Sequence, residues 1–535
     1  MKTREKDISI WETSKRNVLQ VIFSRTMLIM ILIVLQFAYI IARFYAWAEH
    51  IPLLLGGELL VVAAMMAFIL NTKDNPSVKL SWCFLVALFP IFGSVVYFVV
   101  RYDLGYRVLQ KRIRYSETES RKYLAKQDEI WNELKQTDAQ TYHMAKYLYK
   151  TSGSMVSKDN EVKYFSIGED MFVEMLKELE SAKEYIFLEY FIITHGKMWN
   201  EILKILAKKA KEGVDVRILY DGTCSIYLLP YKYPRYIEEM GIKCRMFSPP
   251  VPFLSTHYNN RDHRKIMVID GKTAFTGGVN LSDEYINEDS PFGHWKDVGI
   301  MMKGDAAFDF TMMFLQMWTA TECKTTKDMD FTDMQRYLAN GIWDRNVGIT
   351  TKNKGYVIPY GDSPVDDENV GRNVYIDILN QAKEYVYIMT PYLILDGEML
   401  NAITFAAKRG IDVRIILPHI PDKWYAFVLA QSYYKELLEA GVNVYEYTPG
   451  FVHAKVFLAD NERAVVGSVN LDYRSLYWHY ECSAYLYQVP ALKNIYDDFI
   501  YTQHQSMVVT EETIKHIGVF SKIAAYMLKI VAPLM

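Results

Sequence analysis

A basic excess is the first thing missing. Lys and Arg number 60 against 63 Asp and Glu, which leaves a formal charge of -3 and a pI near 6.4. A chain bound wholesale to nucleic acid would carry a basic footprint instead, so that class is disfavoured. Cysteine is scarce as well. Cys83, Cys224, Cys244, Cys323 and Cys482 are odd in number and show no CxxC or Cys/His spacing, so neither a disulfide framework nor a zinc site is expected. Cys83 lies in an apolar run and Cys244 in a strand-like one, and both read as small buried hydrophobes. Bilayer-length apolar runs are absent from the body of the chain: 51% of the residues are hydrophobic, yet the mean hydropathy is only -0.04. The apolar excess is therefore local, and it lies at the N-terminus. With 535 residues there is room for two or three domains with their own cores.

Three N-terminal segments reach the length of a bilayer crossing: Thr26 to Ala42, Ile51 to Leu70 and Leu80 to Val100. No small-residue exit site follows the first, which excludes a cleaved signal peptide. Glu58 interrupts the second, and a lone carboxylate there belongs near an interface or against a neighbouring helix. Lys2, Arg4, Lys6, Lys15, Arg16 and Arg25 place the N-terminus in the cytoplasm, while Lys73 and Lys79 place the connection between the second and third runs on that same side. A plain third crossing would then export everything downstream. Arg101, Arg107, Lys111, Arg112 and Arg114 directly after the run oppose that, and Pro90 and Gly93 in its middle favour a kink. The expectation is a bent third segment that dips into the bilayer and returns. The charged stretch 101–150 reads as a surface helix, for which a basic collar against anionic headgroups and a solvated connector fit equally. At the other end, Val519 to Met535 carries only Lys522 and Lys529 among apolar residues and reads as an interfacial segment.

The remainder repeats itself. Glu184-Tyr185-Ile186-Phe187-Leu188 leads through a helical stretch to Gly213-Val214-Asp215-Val216-Arg217-Ile218-Leu219, and Glu384-Tyr385-Val386-Tyr387-Ile388 leads likewise to Gly410-Ile411-Asp412-Val413-Arg414-Ile415-Ile416. Strands alternating with helices predict an α/β unit with a largely buried sheet, present twice. Each half then reaches one motif. His263, Lys265 and Asp270 continue to Gly277-Gly278-Val279-Asn280, and His453, Lys455 and Asp460 continue to Gly467-Ser468-Val469-Asn470. Both read HxKx4Dx6G[GS]xN. A lone HxK is noise; the doubled pattern is not. His and Lys two apart share one face of a strand. Each Asp lies at an odd offset from its His and next to Gly271 or Asn461, where it suits a turn better than a substrate. His195, His294, His419 and His479 stand alone and read as packing or hydrogen-bonding residues.

The doubled motif resembles the phospholipase D superfamily. Within it the likeness is to bacterial cardiolipin synthases, because apolar spans and the entry sequence Asn75-Pro76 then Lys79-Leu80-Ser81-Trp82 precede the repeats. The resemblance implies an α/β fold in which two phospholipase D-like repeats form a pseudo-twofold sandwich behind a transmembrane helical region. The boundaries are 1–100 for the membrane region, 101–150 for the connector, 151–335 and 336–510 for the repeats, and 511–535 for the interfacial tail. It implies a bacterial, multi-pass membrane enzyme with its catalytic part in the cytoplasm, joining two phosphatidylglycerol molecules into cardiolipin and releasing glycerol. Phosphatidylglycerol and anionic lipids are the expected partners, nucleic acid is not, and the oligomeric state stays open. By analogy His263 is the nucleophile and His453 the acid and base, a choice the near-symmetric motifs leave reversible. Lys265 and Lys455, with Asn280, Asn470 and Ser468, would hold the phosphate oxygens, and Asp270 and Asp460 belong to the motif. Asp297 and Glu481 would orient the histidines. No cofactor and no metal are needed for this route. A phospholipase D hydrolase, a phosphatidylserine-forming transferase and a catalytically dead membrane scaffold remain the alternatives.

Overall fold

The computed structural model describes residues 51–101, 104–249, 259–338 and 355–534, with Val34, Ala38 and Ile41 besides. The first apolar run, 26–42, therefore lies outside the described residues apart from those three positions. The described residues form two compact units, one ending at Tyr106 and one beginning at Arg107.

In the small unit Ile51–Leu70 is one helix. The run from Leu80 to Val100 is not. It is broken at Phe89 into the helices Pro76–Leu88 and Pro90–Arg101, because Pro90 cannot donate the bond that would continue the first. The two helices fold back on each other, with the Trp82 and Tyr97 rings 5.2 Å apart, edge to face. Gly93 makes the close approach possible: a Cβ there would lie 2.8 Å from the Leu85 carbonyl oxygen and 2.9 Å from the Val86 Cα. At the open end the Arg101 guanidinium pairs with Asp74 at 2.7 Å, so the two ends of the hairpin meet. Among the described residues no helix is long and apolar enough to cross a membrane.

The large unit holds two related sheets. Strands β1 (Ser157–Lys158) and β2 (Glu161–Phe165) open it. The first repeat follows with β3 (Tyr185–Tyr190), β4 (Asp215–Asp221), β5 (Lys243–Phe247), β6 (Lys265–Ile269), β7 (Thr273–Gly277), β8 (His294–Lys296) and β9 (Gly299–Lys303). The second repeat gives β10 (Tyr356–Asp362), β11 (Tyr385–Met389), β12 (Asp412–Pro418), β13 (Asn443–Tyr447), β14 (Gly450–Val452), β15 (Val456–Ala459), β16 (Arg463–Gly467), β17 (Glu481–Tyr487) and β18 (Ser506–Val508). One sheet runs β2-β9-β7-β6-β3-β4-β5, and the other contains β17-β16-β15-β11-β12-β13 in the same order and the same mixture of parallel and antiparallel pairs. The repetition read in the sequence is thus a repetition of topology. The sheets contact each other through β7 and β9 on one side and β16 and β17 on the other. Parallel strands buried on both faces need apolar runs, and β3, buried at every position, supplies Tyr185-Ile186-Phe187-Leu188 before Glu189.

Two details depart from the sequence reading. His263 precedes β6 and His453 precedes β15, so each histidine stands in the extended lead-in rather than in the strand. The stretch after Tyr106 is also no free-standing connector. Leu134, Met144, Ala145 and Leu148 are buried in the core of the second repeat, and Arg463 binds Asp138 across to it.

Candidate active site

β6 runs antiparallel to β3, and Lys265 pairs with Tyr190, the last residue of β3. In the second sheet Val456, directly after Lys455, pairs with Met389, the last residue of β11. Both HxK pairs therefore sit at the carboxyl ends of the parallel strands, the usual place for a site in such sheets. Asp270 and Asp460 are at the other end. Seven residues at about 3.3 Å each carry them roughly 20 Å along the strand. There Asp270 accepts from the backbone N–H groups of Lys183, Glu184 and Tyr185 at 2.9, 2.7 and 2.9 Å, and Asp460 accepts from Lys383, Glu384 and Tyr385 at 2.9 Å each. Both adopt positive φ, 52° and 55°, which a short polar side chain tolerates at a turn. They tie each hairpin to the start of β3 or β11.

The carboxylates cross over. Glu481, from the second repeat, receives Nδ1 of His263 with both oxygens 2.9 Å away. Asp297, from the first, sits with Oδ2 2.6 Å from Nδ1 of His453. Backbone bonds impose the exchange: the His263 N–H donates to the Tyr480 carbonyl at 2.9 Å, and the His453 N–H donates to the Lys296 carbonyl at 2.7 Å. Each motif thus docks beside the residue that precedes the other half's carboxylate. The small residues of the motif serve that carboxylate. At Gly278 a Cβ would come within 2.0 Å of Asp297 Oδ1. In the equivalent place Ser468 donates its hydroxyl to Glu481 and accepts from the Cys482 N–H at 3.0 Å. Ser468 is spent on Glu481, which differs from the phosphate-holding place the sequence suggests for it.

Everything here is buried, and the electrostatics follow from that. Burial pulls both imidazoles well below their ordinary range. Burial pushes the Glu481 carboxyl up, but His263 and His479 outweigh it and hold the group well below the carboxylate range, so it is ionised. For Asp297 burial wins over Lys455 and raises it to about 7. The buried lysines are drawn down, Lys265 to about 8 and Lys455 to about 7, with Glu481 and Asp297 respectively pulling the other way. Lys265 Nζ donates to the His263 carbonyl at 2.6 Å, and Lys455 Nζ lies 2.8 Å from Nδ1 and 3.0 Å from Nε2 of His453. The asparagines differ: Asn280 accepts from Ile192 N–H at 3.1 Å and donates to the Tyr285 hydroxyl at 2.7 Å, whereas the buried Asn470 Oδ1 has no hydrogen-bond partner among the described residues.

Comparison with known proteins fits this geometry. The family described as "Cardiolipin synthase, PLD-like domain" matches residues 175–308 and again 375–502, and the family described as "Phospholipase_D-nuclease N-terminal" matches 59–101. A cardiolipin synthase of Alkalihalophilus pseudofirmus is 32% identical over 507 residues, covering 93% of this chain and 98% of its own length. The chain belongs to the cardiolipin synthase family of the phospholipase D superfamily. An uncharacterized protein of Streptococcus mutans is 49% identical over 88% of this chain and 99% of its own. The crystal structure of a phosphatidylserine synthase from Haemophilus influenzae shares the fold, with a TM-score of 0.53 at 14% identity over 74% of this chain and all of that one.

His479 is the site residue that the sequence reading passed over as a singleton. Its ring centroid is 5.2 Å from that of His263, its Nδ1 is 3.4 Å from Glu481 Oε1, and neither ring nitrogen has a hydrogen-bond partner among the described residues. Since Tyr480 corresponds to Lys296, His479 corresponds to Trp295, whose ring lies 5.4 Å from His453. One motif imidazole is thus flanked by a second imidazole and the other by an indole. Donor atoms of His263, His479 and Glu481 lie within 4.8 Å of one another, the spacing of a cation site, with the buried Lys265 ammonium opposing a cation there. Only position 479, two before Glu481, could have flagged this residue. By contrast His294, bonded to the Tyr447 hydroxyl at 3.0 Å, and His419, 2.8 Å from Glu446, are hydrogen-bonding residues as expected.

Proposed function

We propose that this chain is a phosphatidyltransferase that condenses two phosphatidylglycerol molecules into cardiolipin and glycerol. The observation that carries the reading is the crossed pair of histidine–carboxylate bonds with two buried lysines beside them, in a chain of this family.

Proton placement separates the two histidines. An ionised Glu481 accepts only, so Nδ1 of a neutral His263 carries the hydrogen and Nε2 keeps a bare lone pair. Asp297 titrates near 7, so at and below neutral pH its pair with His453 holds an additional proton, which leaves Nε2–H on His453 as a donor. His263 Nε2 attacks phosphorus, the P–O bond to the headgroup breaks, and His453 gives its Nε2 proton to the departing glycerol oxygen. Glu481 offsets the positive charge on the phosphatidyl-imidazole. A hydroxyl of the second phosphatidylglycerol then passes its proton to His453 and attacks phosphorus, which restores His263 and yields cardiolipin. Lys265 and Lys455 meet the phosphoryl oxygens, and a bound phosphate favours their charged forms. Asn470 adds a neutral donor, its amide not being committed to the fold as that of Asn280 is. Burial of both histidines limits water, the competitor that would give phosphatidate.

The N-terminal hairpin supports a membrane-inserted enzyme whose third apolar run re-enters. Helices of 13 and 12 residues are each too short to cross about 30 Å of hydrocarbon. The Asp74–Arg101 pair closes the hairpin, so the residues after it lie on the same side as Lys73 and Lys79, the cytoplasm by the distribution of basic residues.

The direct test is to incubate the purified full chain with phosphatidylglycerol alone. Cardiolipin and free glycerol in equal amounts are expected. Phosphatidate in place of cardiolipin would make the protein a hydrolase, and no lipid conversion would refute the proposal.

A further inference from the structure

The backbone around His479 is fixed from both repeats. Its N–H donates to the Arg474 carbonyl at 2.8 Å, just past the short helix Tyr473–Tyr477, and the preceding Trp478 carbonyl accepts from Asn260 at 3.1 Å. The following Tyr480 N–H donates to the Arg261 carbonyl at 2.8 Å. The ring held in this way is only 9% exposed, and both its nitrogens lack a partner among the described residues. A buried polar group in that state costs stability unless something else meets it. Packing does not explain the residue type. At the equivalent place Trp295 lies among Tyr285, Phe292 and Phe451, with ring centroids 5.0, 6.3 and 4.8 Å away, and belongs to the first repeat's core. His479 has instead the His263 imidazole at 5.2 Å and Phe191 at 6.4 Å.

Its orientation follows that of His263. Nδ1 of His263 is 2.9 Å from the Glu481 carboxylate and Nδ1 of His479 is 3.4 Å from the same group, with the ring planes inclined at 40°. Both imidazoles therefore turn Nε2 away from Glu481, and for His263 that is the nitrogen that attacks phosphorus. Ionised Glu481 only accepts, so the hydrogen on His479 Nδ1 faces it and Nε2 is the open position. An imidazole placed between a carboxylate and a phosphodiester anion is favoured in its charged form, with a hydrogen on each nitrogen. We propose that His479 is a substrate-contacting residue whose Nε2–H binds a phosphoryl oxygen of the phosphodiester that His263 attacks. The inference rests on the phospholipid chemistry proposed above and deepens it, adding to the two lysines a donor from outside the HxK motifs. No bond to phosphorus forms at His479, and it keeps its hydrogens through both transfers, so the proton passed between glycerol and His453 is unaffected.

Inorganic phosphate, titrated into the purified full chain and followed by calorimetry, probes this contact without turnover, and assays on phosphatidylglycerol give KM and kcat beside it. His479→Phe keeps a ring against His263 and Phe191 and removes both nitrogens. Its dissociation constant for phosphate and its KM should each rise about tenfold or more, as for the loss of one charged hydrogen bond, with kcat falling less. His479→Gln, whose amide nitrogen reaches the place of Nε2, should restore phosphate binding to within about threefold of the wild type. In the wild type itself, carrying isotope-labelled histidine, the ring signals of His479 should shift when phosphate is added, a readout that needs no variant to fold. Unmoved signals, a wild type that binds no phosphate, or a folded Phe variant that binds it as the wild type does would each overturn the inference. Equal losses in the Phe and Gln variants would do the same. A fall in kcat alone would mean that His479 acts only by positioning Glu481, which also overturns the contact. If the wild type binds phosphate but converts no phosphatidylglycerol, it is the phosphatidyltransferase reading that has failed, and the phosphate titrations still decide the role of His479.

Discussion

Glu481 and Asp297 occupy equivalent places, yet one is held far below the carboxylate range by His263 and His479 and the other is lifted to about 7 by burial. Their replacements should therefore behave differently. Glu481→Gln removes the charge that offsets phosphorylated His263, and kcat should fall on the order of a thousandfold or more, as when the acceptor of a catalytic imidazole is neutralised elsewhere. Asp297→Asn keeps a donor toward Nδ1 of His453, and its loss should be at least tenfold smaller. Stability should move in opposite directions. A group raised in the fold contributes stability at low pH that is lost as pH rises through its folded value, so Asp297→Asn should raise the melting temperature at pH 8. A depressed group contributes stability above the ordinary carboxylate range that is lost as pH falls through its folded value, so Glu481→Gln should lower the melting temperature at pH 7. Thermal scans at both pH values check the signs, and equal kinetic losses would contradict the proton placement. In the same scheme His263→Ala and His453→Ala both abolish turnover, and rapid denaturation of the wild type at mildly alkaline pH should trap an acid-labile phosphatidyl label on His263. Label found on His453 alone would reverse the roles. Asp270→Asn, remote from phosphorus but holding three backbone N–H groups, should cost about 1–3 kcal/mol of stability and leave measurable turnover. A fully stable, inactive variant would place that carboxylate in the chemistry.

At the scale of elements the sequence was most legible where spacing alone decides. The two Gly-Val-Asp-Val-Arg and Gly-Ile-Asp-Val-Arg runs gave β4 and β12, and the turn reading of Asp270 and Asp460 followed from an odd offset beside Gly271 and Asn461. Pro90 marked the break in the third apolar run, whose sharpness depends on Gly93 meeting the Leu85 backbone. What spacing cannot show is contact between distant segments. The exchange of Glu481 and Asp297 between repeats depends on two backbone bonds, His263 to Tyr480 and His453 to Lys296, that no local pattern encodes. His479 was missed for the same reason, since its meaning lies in facing His263 from the other repeat. The hairpin yields its own prediction. Single cysteines placed at Lys73 and at Val100 in an otherwise cysteine-free chain should both react with an impermeant maleimide from the cytoplasmic side only, because Asp74 and Arg101 hold those ends together. Gly93→Val should separate the two helices and weaken that agreement. Labelling of the two positions from opposite sides would mean a full crossing.

For the molecule as a whole, the repeats are not two half-enzymes. Each histidine is completed by a carboxylate from the other half: Glu481 reaches back to His263, and Asp297 reaches forward to His453. Both sheets, both motifs and the segment Ala139–Ser152, which buries Met144 and Leu148 in the second repeat's core, belong to one compact unit of one chain. With one motif per chain, such a site would need two chains. Here tandem repetition makes that unnecessary, and it allows the halves to diverge, with Ser468 and Glu481 on one side against Gly278 and Asp297 on the other. The consequence can be measured by mixing. His263→Ala and His453→Ala chains, each folded and inactive, are co-expressed, purified together and assayed on phosphatidylglycerol. If every site is closed within its own chain, no site in the mixture has both imidazoles, and cardiolipin formation should stay at the background of the single variants. A site built across two chains would instead restore up to about a quarter of wild-type activity by random pairing of subunits. Recovery of that size would show that the motifs meet between chains, and the intrachain bonds from His263 to Glu481 and from His453 to Asp297 would then not describe the working enzyme.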